Sequence, residues 1–194
     1  MIAELKFNPM TPQEYLDWEA TQELKYDYVD GEVFAMTGGT IPHNLVALNL
    51  ASALKTHLRG TGCLVFMSDV KVQVSENGPY YYPDVMVSCD PRDRNATALI
   101  QYPCLIVEVL SPSTADYDRK DKFARYRQIP TLQEYVLIDA EQIGVDRYRR
   151  LSSRRWDLQT YLAGETLDLT SVDWQDAIEL LYEDVQFAPA LGNN

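Results

Sequence analysis

YYYPDVMVSCD (residues 80–90) and LIVEVLSPSTADYDRKDKFARY (residues 105–126) are the two stretches whose reading decides the fold. In the second, Leu105, Ile106, Val107, Val109 and Leu110 read as a strand buried on both faces. Glu108 interrupts that run, and an ionised carboxylate there costs on the order of several kcal/mol unless it is paired or metal-bound. Glu108 therefore needs a cation. Asp84 follows Pro83 at the start of the run Val85, Met86, Val87, and two acids on neighbouring strands can share one hard divalent ion. Lys122 supplies the third charge. At about 100° per residue, Ala115, Phe123, Tyr126 and Ile129 define an apolar helical face; Lys122 lies near its centre and Lys120 points away. Arg119 shares the Lys122 face.

Working outward, Leu105–Leu110, a helix reaching about Gln128 and Glu134–Asp139 make a strand, helix, strand crossover. Upstream, Thr11-Pro12-Gln13-Glu14 is a capping box that opens a short helix to about Ala20, with Tyr15 and Trp18 facing inward. Asp30-Gly31 joins Tyr26–Val29 to Glu32–Met36, and Asn77-Gly78 joins Val70–Ser75 to Tyr80–Tyr82, both as hairpins. The second hairpin's outgoing strand is expected to run on through Pro83-Asp84, bent by the proline. A longer helix from about Pro42 to Arg59 aligns Leu50, Leu54 and Leu58 against one sheet face. Val145–Arg150 and Trp156–Leu162 form a third hairpin, and the tail from Thr166 mixes strand and helix signals. Hairpins feeding a crossover imply an α/β fold, a mixed β-sheet flanked by helices on both sides, in a single domain spanning 1–194.

With 194 residues, 46% hydrophobic and 11% aromatic, the chain suits one packed core. No apolar stretch approaches the roughly 18 residues that span a bilayer, and MIAELKFNPM lacks a leader's apolar core, so a cytoplasmic protein without membrane contact is expected. Cys63, Cys89 and Cys104 lie in or beside apolar segments without CxxC spacing, which points to buried free thiols. The net charge of −12 disfavours an anionic partner, but residues 118–155 carry ten of the 17 Lys and Arg against six acids. Arg147, Arg149, Arg150, Arg154 and Arg155 either solvate a surface hairpin or form a basic face.

The order YDYVDGEVFAMTGG, His43-Asn44, Pro83-Asp84, EVLSPST, Asp118 and Lys122, then EYVLID resembles the PD-(D/E)xK nuclease site, and within that group the Uma-two family of restriction-endonuclease-like proteins abundant in cyanobacteria. The resemblance implies the restriction-endonuclease-like fold. It departs from the archetypal motif, whose lysine lies two residues after the acid: here that position is Leu110, and the lysine has migrated to the following helix. It further implies catalytic Asp84, Glu108 and Lys122; Mg²⁺ or Mn²⁺ held by Asp84, Glu108 and the Val109 carbonyl; and DNA cleaved to 5′-phosphate and 3′-hydroxyl ends. Asp27 matches an acidic family position, either an extra ligand or a cross-strand surface acid. His43 matches the family histidine, where bonding to backbone at a helix start competes with a role as base. Asp69 and Asp118 are second-tier acids, Asp118 forming at least an i,i+4 pair with Lys122. Arg119 could back up Lys122 or contact the scissile phosphate.

A homodimer is expected, because two sites and two basic segments suit a duplex; Arg147 and Arg149 share one strand face, the candidate phosphate contact. The rival reading is a non-catalytic nucleic-acid-binding or interaction module that keeps the fold. Two histidines support a Ser-His-Asp hydrolase poorly, and neither GxGxxG nor P-loop spacing occurs. A glycosidase pairing Asp84 with Glu108 lacks a general acid if a buried lysine keeps both ionised.

Overall fold

The computed structural model describes residues 9–36 and 38–187. The first eight residues, on which the reading of the N-terminus partly rests, lie outside them. Thr11 caps α1 (Pro12–Glu19) with both halves of the capping box in place, and Tyr15 is fully buried. β1 (Tyr26–Val29) and β2 (Glu32–Ala35) pair across Asp30 and Gly31. Both turn residues have positive φ, 52° and 94°, the geometry that a primed two-residue turn demands. α2 (Ile41–His57) starts at Thr40, whose hydroxyl accepts the His43 N–H, and buries Val46, Leu50 and Leu54.

Next come β3 (Leu64–Met67), β4 (Lys71–Gln73), β5 (Tyr80–Tyr81), β6 (Val85–Ser88), β7 (Leu99–Ile100) and β8 (Leu105–Leu110). The helix after β8 has three parts: α3 (Ala115–Tyr117), a π-turn (Asp118–Lys122) and α4 (Phe123–Tyr126). β9 (Glu134–Asp139), β10 (Gly144–Arg150) and β11 (Trp156–Leu162) follow, then β12 (Thr166–Leu169) and β13 (Trp174–Ala177). No described helix is long and apolar enough to cross a membrane.

The strands form three sheets, where the sequence suggested one: a six-stranded sheet ordered β11-β10-β9-β8-β6-β3, a five-stranded sheet β2-β1-β5-β4-β7, and the pair β12-β13. The first is mixed, since β8 and β9 run parallel and β6 and β8 antiparallel. The chain changes sheets at Tyr82-Pro83-Asp84, so β5 does not continue into β6 as one strand. Pro83 has no N–H for a ladder, and the break falls there.

Alternation along β8 divides the core. Leu105, Val107 and Val109 pack with α2, while Ile106 and Leu110 pack with Tyr126, Tyr81 and the five-stranded sheet. Glu108 has the parity of the second set. It therefore enters the layer between the two large sheets, beneath the helix that carries Lys122.

The cysteine expectation is corrected. Cys63 and Cys89 form a disulfide, and only Cys104 is a free, buried thiol. Leu64 pairs with Ser88 across β3 and β6, so one step further Cys63 faces Cys89, a juxtaposition made by strand pairing that spacing along the chain does not reveal.

The hairpin carrying Asp27 depends on Gly31, where an added Cβ would sit 2.4 Å from the Pro9 Cβ. Gly31→Ala combines that clash with a positive-φ penalty and should lower unfolding free energy by more than about 1 kcal/mol. Urea denaturation measures it; an unchanged midpoint would show that the turn does not constrain the hairpin.

Candidate active site

Five elements bring one group of polar side chains together. β8 supplies Glu108, which is 3% exposed. One step beyond the last β6–β8 pair, Val85 with Val107, Asp84 falls opposite it at the sheet change. Lys122 Nζ lies 3.1 Å from Glu108 Oε1 and 3.3 Å from Asp118 Oδ1, and 5.6 Å above the Tyr81 ring. The Tyr126 hydroxyl donates to Glu108 Oε1 at 2.8 Å. Asp84 Oδ2 accepts the Val109 N–H at 2.8 Å and sits 3.3 Å from His43 Nε2. Asp27 Oδ1 accepts the Tyr82 N–H at 3.1 Å, which ties β1 to the segment leading into Asp84.

Local sequence explains the placement. Asp118, Lys122 and Tyr126 recur every four residues, so one helical stripe carries an acid, a base and a hydroxyl. The π-turn spans Asp118–Lys122 itself, widening the helix where the lysine enters; such turns recur at functional sites. Lys120, by contrast, is 69% exposed and pairs only with Asp116.

The electrostatics are those of a cluster short of positive charge. Four carboxylates, Asp27, Asp84, Glu108 and Asp118, share Lys122 and His43. Burial pushes Glu108 up to about 8, with Asp84 and Asp118 acting the same way and Lys122 and Tyr126 opposing. Burial likewise lifts Asp27 to about 6, against the pull of Lys122. For Lys122, burial disfavours the charge, but Glu108, Asp27 and Asp118 outweigh it and hold the ammonium well above its ordinary range. His43 is raised by its hydrogen bond to Asp84, partly offset by burial, with the Val109 backbone adding to the rise. Asp118 Oδ1 is buried without a hydrogen-bond partner.

The structure thus brings together Asp84, Glu108, Lys122, Asp118, Asp27 and His43, with Val109 alongside. His43 turns its ring to Asp84, and Asp27 is an inward acid. Other expectations are corrected. Asp69 is 82% exposed and pairs with Lys25 at the surface. Arg119 is bound to Asp146 on β10 and backs neither Glu108 nor Lys122. Arg147 and Arg149 do share a face, but it points inward: Arg147 is 2% exposed and engages Asp168 and Gln159. Arg149 is taken by Glu134 and Asp168 at 2.7 and 2.6 Å. Neither is free to meet phosphate. The buried Val145 has their parity on β10 and signalled this. Tyr126 and Tyr81 were missed as site residues; Tyr126 lay on the Lys122 face, four residues on, but read only as core.

Among the described residues, no three His, Cys, Asp or Glu side chains already form a metal-ligand group. The donors nevertheless suit a hard cation. Glu108 spends Oε1 on Lys122 and Tyr126, and Asp84 spends Oδ2 on Val109 and His43, so each has a second oxygen outside these bonds.

Residues 12–179 match Uma2, the family described as "Putative restriction endonuclease". "Uncharacterized protein slr1290" of Synechocystis sp. is 40% identical over 181 residues, covering 93% of this chain and 95% of that protein. "Uncharacterized protein sll1609" of the same organism is 36% identical over 162 residues, covering 82% and 91%. A crystal structure from Anabaena variabilis, described as "a putative nuclease belonging to DUF820", superposes with a TM-score of 0.75 at 16% identity, covering 90% of this chain and 98% of that one. At that identity the likeness is one of fold.

Two outcomes follow from these contacts. Lys122→Met leaves buried acids without their ammonium and should cost about 3–5 kcal/mol near neutral pH. Glu108 and Asp27 already hold protons more tightly folded than unfolded, so stability falls as pH rises through about 6 to 8. The variant's Tm should therefore recover on acidification toward pH 5 more than the wild type's; a loss independent of pH would contradict the pairing. Arg147→Ala removes a buried guanidinium's hydrogen bonds to Asp168 and Gln159 while Asp168 keeps Arg149 and Tyr161, and should cost about 1–3 kcal/mol, read by urea denaturation.

Proposed function

The chain belongs to the Uma2 family, and on that premise we propose that it is a Mg²⁺- or Mn²⁺-dependent endonuclease acting on DNA. The family and the fold support a nuclease-type function. The observation that carries the finer reading is the charge imbalance: four carboxylates converge on one lysine and one histidine, and a hard divalent cation would complete the set. Asp84, Glu108 and the Val109 carbonyl would hold it. Bound there, the ion supplies Lewis acidity toward a phosphate oxygen and a lower pKa for its water.

The chain's own groups do the rest. Lys122 has three N–H donors; Glu108 accepts one, Asp118 is an ion-pair neighbour without a hydrogen bond, and a remaining donor would stabilise negative charge building on phosphorus. Tyr126 fixes Glu108 and the Tyr81 ring lies against the ammonium, so the lysine is positioned before substrate arrives. His43, bound to Asp84, keeps that carboxylate oriented. Cutting both strands of a duplex calls for two sites, and on that ground alone the homodimer stays part of the proposal.

One observation favours a second reading, a non-catalytic nucleic-acid or interaction module: Arg147 and Arg149 are consumed internally on a chain of net charge −12.

Linear, flapped and junction DNAs incubated with Mg²⁺ or Mn²⁺ distinguish the two. Cleavage should fall by about 10²-fold or more in Asp84→Asn, Glu108→Gln and Lys122→Ala, while Lys120→Ala stays near wild type. DNA bound but uncut, unaltered by all four substitutions, would favour the module.

A further inference from the structure

Cys63 immediately precedes β3, Cys89 immediately follows β6 and Cys104 immediately precedes β8. These strands are neighbours in the six-stranded sheet, in the order β8-β6-β3. Leu64 pairs with Ser88, and Val87 with Leu105, so the three strands end at one corner with Cys89 between the other two cysteines. Cys63 and Cys89 are bonded. The Cys104 thiol lies 3.8 Å from Cys89 Sγ and is held there by the Val87 carbonyl, which accepts both the Cys104 N–H at 2.9 Å and the thiol at 3.4 Å. A free thiol against a disulfide sulfur is the starting arrangement of thiol–disulfide exchange.

We infer that the Cys63–Cys89 disulfide is one of two interchangeable bonds, and that Cys104 is the internal thiol that exchanges with it. Cys104 gives up its proton to solvent, its thiolate bonds to Cys89 Sγ, and the Cys63–Cys89 bond breaks with its electron pair passing to Cys63. Cys63 then takes a proton. One disulfide is present before and after, so no oxidant or reductant is consumed. The exchange moves the free thiol from Cys104, 6% exposed, to Cys63, which is half-buried. Cys63 thereby becomes a modification site for low-molecular-weight disulfides, which its thiolate attacks to form a mixed disulfide while the other half leaves as a thiol.

Burial, with Glu134 acting in the same direction, lifts the Cys104 thiol to about 11. The resting bond is Cys63–Cys89, and the raised Cys104 thiol keeps the attacking thiolate a small fraction. The second bond would tie the end of β6 to the start of β8, the strands that begin after Asp84 and carry Glu108. The inference does not depend on the nuclease reading, since it concerns sulfur connectivity alone.

Native protein kept free of reductant, incubated with N-ethylmaleimide at about pH 8.5, where an ordinary thiol is about half ionised and Cys104 only slightly, long enough for the slow exchange to be trapped, then acid-quenched and digested with trypsin, tests it. Cleavage at Lys71, Arg92 and Arg94 puts the three cysteines on separate peptides. Alkylated Cys63 and a Cys89–Cys104 cross-linked peptide should accumulate together, at a rate independent of protein concentration. Cys104→Ser, and Cys104→Ala as the apolar alternative for a buried site, should each reduce Cys63 alkylation by about tenfold or more. Alkylation confined to Cys104, no alkylation at all, or Cys63 alkylation that survives both substitutions would overturn the exchange.

Discussion

An acid in the middle of a buried strand is the constraint on which the rest of the structure depends. β8 is covered by α2 on one side and by the helix and five-stranded sheet on the other, so Glu108 is left only 3% exposed. Every neighbour that matters answers that problem. Lys122 comes down from the helix, Tyr126 adds a hydroxyl to the same oxygen, and the π-turn lets the lysine and Asp118 share the space. Removing charge from water is tolerable only with such partners, and the same partners leave the cluster with more carboxylates than cations.

That surplus joins the fold to its chemistry. The chain changes sheets at Pro83, so Asp84 belongs to neither ladder. Its carboxylate instead reaches across to the Val109 N–H and faces His43 at the start of α2. Asp27 arrives through a hairpin whose turn tolerates only a narrow set of residues. Acids from separate elements are thus held against one lysine by backbone donors, a tyrosine and helix geometry. Groups fixed before substrate arrives need no reorganisation when charge develops.

Much of this was legible in the sequence because it follows from local periodicity. The bounds of β8 and β9 follow from apolar runs, the first hairpin from Asp30-Gly31, and the inward direction of Lys122 from helical phase. What escaped was set by pairing between distant segments. The split into two large sheets, the facing of Cys63 and Cys89, and the covering of Arg147 and Arg149 by Asp168 all depend on which strands become neighbours. Alternation placed those arginines on one face correctly but could not say which face the β12–β13 pair would cover. Tyr126 was hidden differently: an aromatic on an apolar stripe reads as core, and its hydroxyl matters only because Glu108 lies beneath it.

We propose that the Asp84 and Glu108 carboxylates form an incomplete cation site. Anomalous scattering from crystals equilibrated with Mn²⁺, measured on the wild type and on Glu108→Gln, tests it most directly. The expected result is a peak within roughly 2 Å of carboxylate oxygens of both Asp84 and Glu108, lost or much reduced in the variant. A wild-type map without that peak, in crystals where Mn²⁺ occupies other carboxylates while only Lys122 and Tyr126 hold Glu108, would contradict it.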